Sequence, residues 1–295
     1  MAGSDDDIWD LPLGGLVDDG AVLAVIEEHA ELDPLRPGWD LRLAYELQLA
    51  ELYRDVERWV VPGFCHICRR LTPMFCDWVS AWGGTPNYRE RLHCRNCGLN
   101  NRQRFTGELL RRLGAPPYYL FETVTGFYTW AKATLPEVTG SEYLGHDIPG
   151  GTIVQGLRHE DALNLSFADD SYGTIVSCDV FEHVADIDRA LAECVRVLRR
   201  DGVLLLSVPF TPDQPTTVKR AELGPGGEVI HLEEPNYHGN PLDQERGSLT
   251  FYDHGWDLVD RMRAAGFRDV GVVAYWSQLH GHLGRGLQFQ LLARK

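Results

Sequence analysis

Cys65 and Cys68 form one C-x-x-C pair and Cys94 and Cys97 a second, in a chain of 295 residues. Two such pairs let four thiolates converge tetrahedrally on Zn²⁺. With four protein ligands the ion would keep no open position, so the expected role is structural. A redox pair or chance spacing is the alternative. His66 and His93 adjoin the pairs and are expected to be bystanders, and Cys76 an ordinary small apolar residue. A second concentration of reactive side chains lies further on, with His183 beside Glu182, then His231, Tyr237, His238, Tyr252 and His254. Imidazole titrates near neutral pH, which suits a general base. His183 leads, with His231, His238 and Tyr252 as rivals. A local hydrogen bond at a helix start is the structural alternative for His183.

These residues need elements to hold them. Thr174 to Ser177 reads as a short apolar strand ending at Cys178-Asp179. Ile187, Leu191, Cys194, Val195 and Leu198 then recur at helical spacing, Asp201-Gly202 ends the helix, and Val203 to Val208 is a continuous apolar run. Such a run is typical of a strand covered on both faces. Loops where parallel strands end are where an open α/β sheet places its chemistry, which here is Asp179 to Val184. Tyr118 to Glu122 and Val138 to Ser141 are further short strands, and Val270 to Trp276 with Leu287 to Ala293 read as a final antiparallel pair. Between them Thr211 to Thr250 is rich in Pro, Gly, His and acidic residues, and the 211–250 insertion is expected to form a lid over a substrate.

Glu160-Asp161-Ala162, Leu165-Ser166-Phe167 with Asp170-Ser171-Tyr172, Glu182-His183-Val184, and Arg196 to Gly202 follow one another in order. This succession resembles the class I S-adenosylmethionine (SAM) dependent methyltransferases of the small-molecule type (type 11-like). A closer likeness, to bacterial methyltransferases, is carried by Gly140 to Gly145, Arg158 to Asp161, Val208 to Phe210 and Tyr237 to Pro241. The likeness covers roughly residues 115 to 295. It implies an α/β fold, a Rossmann-like SAM methyltransferase sheet with helices on both faces. It also implies cofactor roles: Glu122 and Gly126 border the methionine moiety, with Cys178 and Asp179 beside the same end. Glu142 takes the ribose hydroxyls, Tyr143 stacks on adenine, and Asp161 with Ala162 meets the adenine edge. Phe181 either walls the cofactor or fills core, and Asp161 has the alternative of capping its own loop. The chain departs from the pattern after the first strand, where Val124 and Tyr128 stand in place of glycines around Gly126.

The chain divides into an acidic helical region (1–60), a four-cysteine module (61–105) and the methyltransferase domain (106–295). Residues 1 to 15 are expected to be mobile. Val22, Val25 and Ile26, then Leu41 to Val56, suggest two helices broken around Asp33-Pro34 and Pro37-Gly38, covering the catalytic domain or forming a homo-oligomer. No apolar run is long enough to span a membrane, and the acidic start lacks the features of a signal peptide, so a cytoplasmic location is expected. Seven cysteines, an odd number, suit a reducing compartment. Net charge is −15, yet residues 62 to 112 hold nine Arg against three Asp/Glu. Overall acidity disfavours nonspecific nucleic-acid binding, while the basic island leaves local phosphate contact open. Three functions follow: methyl transfer to a small-molecule acceptor such as a sugar or other biosynthetic intermediate; methylation of RNA or protein gripped by the module; or a noncatalytic scaffold.

Overall fold

The computed structural model describes residues 21–295; the expectation for residues 1 to 15 lies outside them. The described chain forms two compact units, one of residues 30–113 and 273–289 with the segment up to Ile26, the other of 27–29, 114–272 and 290–295.

In the second unit the strands lie in the order Val138–Gly140, Tyr118–Leu120, Tyr172–Cys178, Leu198–Ser207, 290–294 and 269–272. The first four are mutually parallel, and Leu205 pairs antiparallel with Leu292. The chain leaves Tyr118–Leu120 for a neighbour on one side and reaches Tyr172–Cys178 on the other. That reversal is a topological switch point, where a ligand crevice opens at the strands' carboxyl ends. The α/β sheet expected from the sequence is therefore present. Its strands are buried along nearly their whole length, Ile175, Val176, Leu204, Leu205 and Leu206 completely, as coverage on both faces requires.

The helix Ile187–Val197 starts where Asp186 accepts a hydrogen bond from the Arg189 amide and buries Ile187, Ala190, Leu191, Cys194 and Val197. It ends earlier than the Asp201-Gly202 expectation. The pairing register shifts between Leu198 and Val203, and Asp201 takes φ 62° within that bulge. The helix Asp257–Ala265 ends on Gly266 in the left-handed region, where glycine carries no Cβ penalty.

In the first unit the hairpin Arg58–Cys65/Arg70–Asp77 is joined by His93–Cys94. The N-terminal region departs from the two-helix expectation. Val22–Ile26 is a strand, His29–Gly38 a 3-10 helix and Trp39–Leu52 the α-helix. A five-residue apolar run carries no helical period of its own, so strand and helix are not separable there by pattern. The α-helix also turns a polar face inward, burying Arg42, Glu46 and Ala50 while Leu41 and Leu52 stay exposed. Residues 106–113 and 273–289 also belong to this unit. No helix among the described residues is long and apolar enough to cross a membrane.

Candidate functional site

Two strand ends make the first half of the site. Phe121 and Glu122 follow Tyr118–Leu120, and the turn beyond them enters the helix Gly126–Thr134, where Thr125 caps the first turn by accepting from the Tyr128 amide at 3.1 Å. Thr125 also bonds the Glu122 carboxylate through its hydroxyl. Gly126 does not need left-handed backbone. A Cβ there would meet open space, which is what a ligand against a helix N-terminus requires. Val124 and Tyr128 replace glycines without any positive φ at either residue. The close approach is made instead by Gly140, where a Cβ would lie 2.5 Å from the Glu122 carbonyl oxygen and 2.4 Å from the Tyr128 ring.

Glu142, just past Val138–Gly140, turns its carboxylate back onto that turn. Its Oε1 accepts from the Thr123 amide (2.5 Å), the Thr123 hydroxyl (2.9 Å) and the Val124 amide (3.0 Å). Oε2 has no hydrogen bond among the described residues and can take a ribose hydroxyl. Tyr143 is exposed, its ring centroid 5.5 Å from that of His159, so one face can receive a base. Glu142 pairs in parallel with His159 through an isolated bridge, which sets 159–161 beside it. His159 is buried and its Nδ1 accepts from the Leu144 amide at 3.0 Å. Glu160 is also internal, accepting from Ser166 N (2.8 Å), Ser166 Oγ (2.6 Å) and Arg158 Nε (2.8 Å). Asp161 Oδ1 accepts from Leu163 N at 2.9 Å, so the loop-capping alternative holds for one oxygen. Ala162 is buried beside it.

Across the switch point, Tyr172–Cys178 ends in Asp179, whose φ is 53°. Its amide donates to the Ser207 carbonyl (2.8 Å), and its Oδ1 accepts from Ser207 Oγ (3.1 Å). Of the two roles open to Phe181, the structure places the ring in the core. It is fully buried and edge-on to Phe121 at 5.4 Å. Glu182 is buried behind it, and His183 follows. The 211–250 insertion reaches this turn. Its hairpin pairs Tyr237–His238 with Ser248–Leu249, the Leu249 carbonyl lies 2.8 Å from His183 Nδ1, and the Phe251 amide donates to the Glu182 carbonyl at 2.7 Å. His238 is brought 5.1 Å from His183, centroid to centroid.

The other rivals fall elsewhere. His231 is exposed on the strand pairing with Ala221–Leu223, and Tyr237 is exposed. Tyr252 is buried with its hydroxyl donated to the Ala185 carbonyl at 2.7 Å, and burial raises its pKa. His254 is fully buried, which lowers its pKa to about 4. A hollow of about 500 Å³ lies next to this group, lined by Ala185, Asp186, Thr217, Lys219, Tyr252 and Arg261 among others.

In the first unit the four cysteines converge. Cys65 Sγ and Cys97 Sγ are 3.9 Å apart, and Cys68 Sγ and Cys94 Sγ 3.7 Å. A disulfide would need about 2.05 Å. A tetrahedral ion with Zn–S near 2.3 Å sets its sulfurs about 3.8 Å apart, so the donor set fits Zn²⁺. The Asn96 amide points at Cys94 Sγ (3.4 Å). Arg104, completely buried, donates to the His280 and Gly281 carbonyls. His66 is not a ligand. It stacks on His280 at 3.9 Å, and burial lowers its pKa to about 4. His93 Nδ1 lies 3.2 Å from the Gly98 carbonyl, and Cys76 is buried, its thiol pushed up to about 12.

Sequence reasoning missed Glu46. It is completely buried, yet collects the amides of Gly284, Arg285 and Gly286 and the Trp276 indole N–H. No local signal announces it, because all four donors come from the far end of the chain. The basic island is largely consumed internally. Arg91 pairs with Asp77, Arg102 bonds Glu90 through two nitrogens, Arg112 pairs with Glu108 and Arg104 is buried.

Residues 121–206 match a family described as a methyltransferase domain. Among curated relatives, a demethylmenaquinone methyltransferase of Bacteroides fragilis is 27% identical over 112 residues, covering 33% of this chain and 46% of its own. A malonyl-[acyl-carrier protein] O-methyltransferase of Methylococcus capsulatus is 32% identical over 125 residues, covering 37% and 46%. The chain thus spans under half the length of these relatives. A SAM-dependent methyltransferase structure from Mesorhizobium loti aligns with TM-score 0.39 at 14% identity, over 65% of this chain and 96% of the other. Glu122, Glu142, Asp161 and Asp179 all fall inside the matched segment.

Proposed function

We propose that the protein transfers a methyl group from SAM to a small-molecule acceptor. The observation that carries this reading is the set of residues at the switch point, with Glu142, Tyr143 and Asp161 on one side and Cys178 to His183 on the other. When bound, SAM supplies a methyl group already activated by its sulfonium. The work left to this chain is alignment and removal of the acceptor's proton. Glu142 would hold the ribose through Oε2 while its Oε1 keeps the first turn closed. Tyr143 would cover one face of the adenine, and Asp161 with the Ala162 amide would meet its edge. Glu122 and the helix start at Gly126 would receive the methionine end, facing Cys178 and Asp179.

We assign the acceptor end to His183 and His238. The insertion holds both, and Leu249 fixes the orientation of the first. The hollow of about 500 Å³ is lined by Ala185 and Tyr252 rather than by either histidine, and its mixture of Asp186, Lys219 and Arg261 would suit a polar, hydroxyl-rich molecule such as a sugar. A macromolecular acceptor is less well served, since most arginines of the module are spent within it. We further read Cys65, Cys68, Cys94 and Cys97 as the ligands of one structural Zn²⁺, and an odd number of cysteines suits a reducing, cytoplasmic setting.

Calorimetric titration with S-adenosylhomocysteine tests the cofactor half. Saturable one-to-one binding is expected, and its absence would leave a noncatalytic scaffold. Incubation with methyl-labelled SAM and fractionated cell extract tests the acceptor. Label is expected in low-molecular-weight material, and label confined to RNA or protein would overturn the small-molecule assignment.

A further inference from the structure

Glu182, His183 and His238 meet in a way that hydrogen bonding does not account for. Glu182 is completely buried, and neither of its carboxylate oxygens has a hydrogen-bond partner among the described residues. A buried ionised carboxylate is strongly unfavourable unless positive charge lies beside it. The groups facing it are two imidazoles. His183 Nε2 is 3.7 Å and His238 Nδ1 3.5 Å from the same oxygen, Oε1, both beyond the range of a normal N–H···O bond.

The tautomer of His183 narrows the choice. Its Nδ1 lies 2.8 Å from the Leu249 carbonyl oxygen, which can only accept, so Nδ1 carries the proton. In the neutral ring Nε2 then turns a lone pair toward Glu182 Oε1, and a positive centre between the two acceptors would relieve their repulsion. A carbonyl on the far nitrogen is also how metal-binding histidines are commonly oriented. An ion bound by nitrogen and oxygen at about 2.0–2.2 Å keeps tetrahedral ligand atoms roughly 3.3–3.6 Å apart. Separations of 3.5 and 3.7 Å are close to that edge length. The three donor atoms lie within 4.8 Å of one another.

We propose that Glu182, His183 and His238 bind a single divalent transition-metal cation. Two imidazoles and one carboxylate suit zinc, cobalt, manganese or iron(II), and three protein ligands leave a position for an oxygen donor. The site would be completed by the insertion, because His238 and the orienting Leu249 carbonyl belong to one hairpin. Its use in methyl transfer rests on the function proposed above; its capacity to bind the ion does not.

The test uses the full chain with the cysteine site loaded with Zn²⁺ and loosely held metal removed by dialysis against a weak chelator. Titration with Co²⁺, followed by visible absorption and by metal analysis after dialysis, is expected to show one Co²⁺ per chain with ligand-field bands and no sulfur-to-metal charge transfer. His238→Ala, on a partly exposed hairpin, is expected to weaken Co²⁺ binding by at least about 10²-fold, and Glu182→Gln similarly. Failure of wild type to hold Co²⁺, bands of thiolate origin alone, or His238→Ala affinity within about threefold of wild type would overturn the proposal. The carboxylate would then be balanced by a protonated histidine. S-adenosylhomocysteine binding measured on the same preparation separates the two readings. Binding of the nucleoside without Co²⁺ removes only the cation site, and the converse removes only methyl transfer.

Discussion

Glu142 holds two functions on two oxygens, and they can be separated. Oε1 accepts three hydrogen bonds from Thr123 and Val124, whereas Oε2 is the oxygen offered to the ribose. Glu142→Gln keeps an acceptor oxygen for the turn but replaces the ribose acceptor with an NH₂ donor and removes the charge. Glu142→Ala removes both. Hydrogen bonds to a charged group contribute about 1.5–3 kcal/mol, so either variant should weaken S-adenosylhomocysteine binding by about 10- to 150-fold. Stability should divide the pair. The donors of the turn are partly exposed, so water can replace the lost acceptor in Glu142→Ala at a cost of about 1–2 kcal/mol, while Glu142→Gln should melt close to wild type. Calorimetry gives the affinities and urea unfolding the stabilities. If Glu142→Gln binds within about threefold of wild type while Glu142→Ala is destabilised, the carboxylate serves only the turn, and the ribose assignment fails.

Purified protein should contain one Zn²⁺ held by the cysteines, and Cys65→Ser or Cys97→Ser should lower the melting temperature before it alters SAM affinity; a metal-free protein with an intact fold would contradict this. Glu46→Ala should cost about 3–5 kcal/mol, since it strands three amides and an indole N–H in the interior; a loss below about 1 kcal/mol in urea unfolding would refute that accounting. Arg196 and the Leu165 amide hold Glu193 below the usual carboxylate range. Because its folded pKa lies below the unfolded value near 4.3, its contribution is complete above that pH and fades as pH falls through the folded pKa. The stability gap between wild type and Glu193→Gln, about 1 kcal/mol at pH 6, should therefore shrink below pH 4, and a gap that widens on acidification would refute the pairing.

Tyr118–Leu120, Tyr172–Cys178 and 203–207 were legible in the sequence because each is a short, largely buried apolar run, and the cysteine pairs because C-x-x-C spacing is local. The N-terminal elements were not. Val22–Ile26 is too short to show a period, and Trp39–Leu52 buries Arg42 and Glu46, which hydropathy assigns to solvent. What makes that inversion affordable is 284–286, more than two hundred residues away, whose amides satisfy Glu46. Within the site, the four strand-end acids could be placed by order alone. Phe181 could not, because a ring beside a crevice and a ring beneath it have the same sequence neighbours. His183 and His238 were each visible as reactive residues, but nothing local joins positions 55 apart.

The juxtaposition that matters is made by the insertion rather than by the sheet. The sheet places the proposed donor side by itself, since Glu122 and Glu142 follow neighbouring parallel strands and the bridge from Glu142 to His159 sets Asp161 beside them. The acceptor side has no such guarantee. Glu182 and His183 leave the sheet on a single 3-10 turn, and a lone buried carboxylate there would destabilise the fold. The hairpin of Tyr237–His238 and Ser248–Leu249 answers this by covering the turn, orienting one imidazole and delivering another. The hairpin that covers the turn is therefore the same element that completes the polar cluster. Under the proposed function, an acceptor that displaced the hairpin would expose Glu182, so that reading favours acceptors small enough to enter beneath it.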